Sequence, residues 1–459
     1  MLKYTWLLFI PLLLATFLKD SPTTSYSIAW LGSFYIFYIT WVKFGLYHSE
    51  ELPIAERIMK PIFLIQAIFV GFMCCTSIFY YYDIYQQTLN NPNMLNEMWL
   101  TAKSQRLSLL AHIALVVGIS LLTKEKQIQI IPNRRNLPSS FYIKLTLICY
   151  AIGVIFSSIN GLFQFAIYFM SIAAISGVYI MVSGIKQKRK ESIIIGLGFF
   201  VFNFIAATLT GFKESIITNI LIIAVLLFPI YKKTILVLSL PLIYLMVYIL
   251  PTYSSVIRQQ SWFGDTAVEE ARSMALEQLL DEENEEKIKE TNWEFLTHRA
   301  SEISMFNQFV NYIPKERDFY GFEIIENSFY SIIPRVLWTN KPITETISME
   351  RVYEAGVVDR DSIVSAKTRP VVDGYLSLGA LGVFIFIFLY GAFCQWAYQK
   401  SEDLFQSYEL GGIVIFNGAF QGLWRGNNFE FIVNNMVYGL ITVYLLYFIV
   451  TKLNLLNRE

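Results

Sequence analysis

The chain has 459 residues, 55% hydrophobic, 16% aromatic and only 16% charged, against about a quarter charged in an ordinary soluble domain. Its mean hydropathy of +0.46 and its long apolar runs fit one helical bundle solvated by lipid rather than two or three soluble domains. Lys and Arg number 36 and Asp and Glu also 36, for a formal net charge of zero, which leaves no basic footprint for nucleic acid.

A lipid-crossing helix needs about 20 mostly apolar residues, because irregular backbone cannot be satisfied in hydrocarbon. Twelve segments are candidates. The first six lie near 4–18, 25–46, 61–82, 105–123, 141–158 and 162–183. The others lie near 192–210, 215–231, 234–252, 374–397, 409–424 and 430–451. The first is short, but no small-residue cleavage site follows Leu18, so it reads as an uncleaved anchor rather than a signal peptide. The eleventh is the weakest, being short and carrying Asn417, Gln421 and Arg425. Cys74, Cys75, Cys149 and Cys394 all fall in apolar runs and read as small buried hydrophobes, not as a disulfide framework or metal site. His112 lies within a span, where an ionisable group invites a functional reading. The plainer reading is a hydrogen-bonding partner for a neighbouring helix.

Lys and Arg in the short loops set the orientation. One set of loops holds Arg57, Lys60, Lys124, Lys126, Arg134 and Arg135, then Lys186, Lys188, Arg189, Lys190, Lys232, Lys233 and Lys400. The opposite set holds only Lys19, Lys103, Arg106, Lys213 and Arg425. Both termini are therefore expected to be cytoplasmic, as in a multi-pass protein of a bacterial inner membrane. The expected organisation is residues 1–252 with nine spans, 253–371 as one large periplasmic loop with amphipathic and re-entrant helices, and 372–459 with three more spans.

The loop carries 13 Lys and Arg against 21 Asp and Glu between Ser254 and Val371. Thr266 and Glu269 fit a capping box for a first helix with an apolar stripe of Val268, Ala271, Met274, Ala275 and Leu279. The charged run 281–290 reads as a solvated arm. A second helix is predicted to start at Thr291 with Glu294 as its capping partner, burying Phe295, Ile303, Phe306 and Val310. Arg299 and Glu302 stand at i and i+3 there, next to His298. They are either a helix-surface ion pair or an arginine presented at the membrane rim.

In "YSIIPRVLWTNKP", Pro334 and Pro342 break helices and enclose Arg335, Trp338 and Lys341. Trp and long basic side chains suit a membrane–water interface, where these cations either snorkel or bind a lipid-linked diphosphate. Lys213 and Glu214 in "TGFKES", and Arg425 in "GLWRGNN", fall on the same expected side: the first pair either cap a turn or add charge to the site, and Arg425 is a further cation at the rim. Asp359 and Asp361 form a D-x-D, a weak metal signal, and no metal is expected. No Gly-rich phosphate loop, H-E-x-x-H or G-x-S-x-G occurs.

Some twelve spans, a large late loop and the residues Pro334, Arg335, Leu337, Trp338, Lys341 and Pro342 resemble the O-antigen polymerase (Wzy) family of oligosaccharide repeat-unit polymerases. Arg299 followed by Tyr320-Gly321, and Tyr375, Gly379 and Gly382 leading into the next span, are similar to further segments of that family. The charged insertion at 266–290 departs from it. The resemblance implies an all-α polytopic, GT-C-like glycosyltransferase, independent of metal and without cofactor. It would act on undecaprenyl-diphosphate-linked oligosaccharide in the bilayer, alongside a chain-length regulator. It further implies Arg299 and Arg335 as diphosphate clamps and Glu302 as base or as holder of Arg299. His298, Trp338, Lys341, Lys213, Arg425, Tyr320 and Tyr375 would be substrate contacts. The rivals are a glycan ligase of similar fold and a lipid-linked oligosaccharide flippase or transporter. The single late loop, with no matching partner earlier in the chain, disfavours a two-repeat carrier.

Overall fold

The computed structural model describes residues 5–42, 54–123, 137–159, 161–209, 213–262, 266–281, 284–335, 337–361, 366–406, 410–412 and 426–455. Among these residues every regular element is a helix. Eight helices are long and apolar enough to cross a membrane: Pro61–Asn90, Pro92–Leu122, Ser139–Ser157, Phe163–Gln187, Lys190–Ala207, Lys232–Gln260, Pro370–Phe405 and Phe429–Lys452. Of the four remaining expected spans, Trp6–Phe17 has 12 residues and Lys213–Leu227 has 15, too few to cross unaided. Pro22–Val42 has 21, but its Ser, Thr and Tyr residues keep it out of the apolar set. The segment 409–424 lies mostly outside the described residues.

Two spans are longer than the apolar runs foretell. Pro61–Asn90 and Pro92–Leu122 have 30 and 31 residues, about 45 Å each, against roughly 30 Å of hydrocarbon. The polar stretch 83–104 therefore continues both helices past their apolar parts and closes a hairpin at Asn91. There the Asn91 side chain accepts from the Asn93 N–H at 3.1 Å, and Pro92 opens the return helix. The helices Glu285–Glu294 and Ile303–Tyr312 reach this extension. Trp293 donates to Asp83 at 2.9 Å, and Asn307 donates to both Glu97 and Thr101 at 2.7 Å.

The Pro92–Leu122 helix is the hub, packed against Pro22–Val42, Ile303–Tyr312 and Pro370–Phe405. Its approach to the last is backbone against backbone. A Cβ on Gly118 would stand 2.2 Å from the Phe388 carbonyl oxygen, and one on Gly391 would stand 2.6 Å from that of Leu115. Small residues at such a crossing replace the missing hydrophobic drive between helices in lipid with close van der Waals contact. At the periphery, only 6% of the apolar window of Lys232–Gln260 is buried. That is untenable in water and appropriate against acyl chains. The four cysteines are unpaired thiols, three of them buried. His112 is buried and accepts from the Gln66 amide at 3.0 Å, the plainer of its two readings.

Two predicted helix starts are displaced. The first loop helix begins at Val268 with no side-chain cap, so Thr266 and Glu269 do not form the expected box. Ala271 and Ala275 are fully buried, while Met274 is exposed, so the stripe is narrower than its sequence suggests. The next helix begins at Glu285, inside the charged run, and Thr291 is interior, its hydroxyl donating to the Lys287 carbonyl at 2.8 Å. That helix passes into a π-helical segment, Phe295–Ala300, and ends at Ser301, whose ψ of 109° is extended. A new helix, Ile303–Tyr312, follows.

Pro370–Phe405 is broken at Leu378 (φ −144°, ψ 26°) and Gly379 (φ 62°, ψ −142°). A Cβ on Gly382 would lie 2.0 Å from the Gly374 carbonyl oxygen, whereas eight residues of straight helix span about 12 Å. The piece 370–377 therefore folds back onto the start of the following span. Its last carbonyls, left without intrahelical donors by the break, are taken by the loop: Tyr320 N–H donates to Leu376 O and Gly321 N–H to Ser377 O, both at 2.9 Å. Gly321 accepts φ of +61° to do so.

Candidate functional site

The break at 378–379 places Arg369 and Asp373, at the head of the folded-back piece, inside the protein. Arg369 is the extended residue before the helix (φ −89°, ψ 158°), and Pro370 takes the first helical position, where its missing N–H costs nothing. The Arg369 guanidinium meets both carboxylate oxygens of Glu302 through Nε and Nη2. It also lies over the Phe72 ring at 5.3 Å. This pair closes one side of a narrow cleft, whose other walls include Thr76, Ser77, Ser108, Ser301 and Phe306. The Arg369 side chain is 8% exposed and that of Glu302 22%.

A second charge cluster lies on the other side of the same helix head. Arg351, from Thr344–Glu354, donates to Glu430 at 2.7 Å and stands 3.5 Å from Asp373. Asp373 also accepts from the Thr368 hydroxyl at 2.6 Å and from the Phe429 N–H at 2.7 Å, so it caps the last helix. Asp373 and Glu430 are fully buried. Burial opposes the charged guanidinium, but the Glu430 and Asp373 carboxylates outweigh it and hold Arg351 protonated more firmly than an exposed arginine.

The structure disperses the expected site residues among several settings. Arg299 and His298 lie on the π-helical segment with exposed side chains. Tyr80 meets the His298 ring edge-on at 5.6 Å, and Arg258 is an electrostatic neighbour of Arg299. Glu302 does not hold Arg299: the chain changes direction at Ser301 and the carboxylate turns to Arg369 instead. Arg335 is exposed and donates to the Lys341 carbonyl at 3.3 Å. Lys341 is buried, and its ammonium donates to the carbonyls of Ser331 and Ile333 at 2.8 and 2.9 Å, which ties the segment to itself. Burial first, and then Arg335, lowers the Lys341 pKa below its ordinary value. Trp338 packs edge-on against Tyr330 at 5.7 Å.

Tyr320 donates to Glu354 at 2.7 Å, under the Arg317 guanidinium at 3.9 Å from its ring. Burial and the Glu354 carboxylate raise its phenol above the usual value. Tyr375 is buried, donating to the Ile313 carbonyl at 3.1 Å and accepting from Lys103 at 3.4 Å. Lys213 opens its helix, but its side chain, like all of Arg425, lies outside the described residues. Asp359 and Asp361 have no companions: among the described residues no group of three or more His, Cys, Asp or Glu lies together.

Arg369, Arg351, Asp373 and Glu430 were not singled out from the sequence. The signal was present, since two acidic residues each stand in the first turn of an apolar span, where ionisable groups are costly. Arg258, beside Arg299, was also missed.

These features characterise a helical protein with long apolar spans, an extramembrane helical layer and buried charge where the two meet. Residues 10–458 match the family described as a domain of unknown function (DUF8712), and the chain belongs to that family. Comparison with curated proteins and with solved structures found no match.

Proposed function

We propose that the protein is a polysaccharide polymerase. It would transfer a growing glycan from undecaprenyl diphosphate to a lipid-linked repeat unit at the periplasmic face of the inner membrane. The observation that carries this reading is the meeting of two segments on which the family resemblance rests. Tyr320-Gly321 supplies the N–H groups that donate to the last carbonyls of the folded-back piece, which bears Tyr375 and ends at the break formed by Gly379. Segments 55 residues or so apart in sequence thus build one frame, with Arg369 at its edge.

The reaction forms a bond from the acceptor hydroxyl oxygen to the donor's anomeric carbon. It breaks the bond from that carbon to the diphosphate oxygen, the diphosphate leaves with the bonding pair, and the hydroxyl proton passes to water or to the departing diphosphate. Charge develops on the leaving diphosphate, and preorganised cations stabilise it. Arg335 beside Lys341 supports this role. Like charges so placed repel one another, and an anion brought to them offsets this. Arg299 and Arg335 are exposed and would clamp the diphosphate. A carboxylate bound through both oxygens to a guanidinium is a poor proton acceptor, so Glu302 serves better as a charge partner than as the base.

The test is polymerisation by the purified full-length protein in nanodiscs with an undecaprenyl-diphosphate-linked repeat unit. Arg299→Ala and Arg335→Ala are expected to leave single repeat units and to lose polymer by 100-fold or more, about the effect of removing one oxyanion donor. Normal chain lengths from both variants would end the assignment.

A further inference from the structure

We infer that the Arg369 cleft is a binding site for a phosphate-bearing anion, and that Glu302 is its resident counter-ion, displaced when that anion enters. The two members of the ion pair are held very differently. Arg369 is fixed: Pro370 and the folded-back helix set its backbone, the Phe72 ring lies over its guanidinium, and Gly426 presses against it from behind. A Cβ on Gly426 would stand 2.0 Å from the Arg369 Nη1. Glu302 lies at a joint. It follows the π-helical segment and extended Ser301, has bridge-region backbone (φ −88°, ψ 10°), and precedes the helix Ile303–Tyr312 without belonging to it. The carboxylate can therefore swing out without unfolding a helix, whereas the guanidinium stays.

A fixed planar fork already satisfied in bidentate fashion by a carboxylate also suits phosphate oxygens. The cleft holds a further donor for them. Ser301 is fully buried, lines the cleft, and its hydroxyl has no hydrogen-bond partner. An anion that took the place of Glu302 would gain the guanidinium fork and this hydroxyl together. Only the identification of the anion as a diphosphate rests on the polymerase reading. The exchange itself does not.

The test is binding by the full-length protein in nanodiscs, with inorganic pyrophosphate in one arm and geranylgeranyl diphosphate in the other. Glu302→Gln keeps the shape and removes the competing charge, and is expected to tighten binding about tenfold over the unaltered protein. Ser301→Ala should weaken it by severalfold, and the charge-balanced double variant Glu302→Gln/Arg369→Gln should remain folded and not bind. Tightening with pyrophosphate supports a free anion as the ligand, and tightening confined to the prenyl diphosphate supports a lipid headgroup. Glu302→Gln binding no tighter than the unaltered protein in both arms would overturn the inference, and so would full binding by the double variant. Neither readout depends on polymer being made, so loss of the polymerase reading would be seen separately.

Discussion

Arg351 offers the sharpest test of what holds the extramembrane layer to the bundle. Replacing it with Met keeps much of the volume but leaves Asp373 and Glu430, both fully buried, with no cation between them. Breaking a buried pair from one side costs about 3–5 kcal/mol. Here one arginine answers two carboxylates, so the upper part of that range applies. Unfolding entropy scales with length, so for a chain of 459 residues each kcal/mol moves the midpoint by about 1 °C. Arg351→Met should therefore melt about 4–5 °C lower, by scanning fluorimetry of the detergent-solubilised full-length chain. The triple variant Arg351→Met/Asp373→Asn/Glu430→Gln removes the stranded charge and keeps an acceptor for the Phe429 N–H, so it should recover most of the loss. If the single variant melts within about 1 °C of the parent, or the triple melts as low as the single, the account of this cluster as a charge-balanced lock is wrong.

Two other substitutions separate neighbouring roles. Gly379→Ala places a side chain at φ 62°, ψ −142°, with its Cβ 3.2 Å from the Phe319 ring. It should cost at least about 1–3 kcal/mol, read as a lower melting midpoint. Lys341→Met strands the carbonyls of Ser331 and Ile333 and should cost about 1–3 kcal/mol. Arg335→Met, at an exposed position six residues earlier, should leave the midpoint within about 0.5 kcal/mol of the parent. Equal melting of these last two would mean that Lys341 does not tie its segment together.

The apolar runs made the spans legible, because burial in lipid is written as uninterrupted hydrophobicity. What they hid was helix continuing where that hydrophobicity ends. Residues 83–104 carry Gln86, Gln87, Leu89, Leu95, Met98 and Leu100, which keep a helix going without marking it as membrane-bound, and their role as a dock for Trp293 and Asn307 depends on contacts 206 to 210 residues distant. The site was only partly legible for the same reason. Spacing paired Glu302 with Arg299 one turn away, on the assumption of unbroken helix. The π-helical segment and the extended Ser301 turned it toward a partner 67 residues on. Arg351 sits in a segment with no apolar signature, and its partners Asp373 and Glu430 lie on two other helices, so nothing local announced it. Pro334 and Pro342 bound a segment whose described residues form no helix. Which of its cations faces inward followed from Lys341 reaching two carbonyls, a matter of backbone direction rather than composition.

The extended hairpin around Asn91 has a consequence for anyone exchanging parts between members of this family. The loop between the ninth expected span and the folded-back piece looks like a portable module, bounded by two membrane helices. Its helices, however, are bonded to Asp83, Glu97 and Thr101, and its Tyr320-Gly321 amides to residues 376 and 377. A chimera that moves residues 253–371 alone would bring a key without its lock. The transferable unit is the loop together with the hairpin 77–104 and the helix head 370–382, three stretches of chain bonded into one.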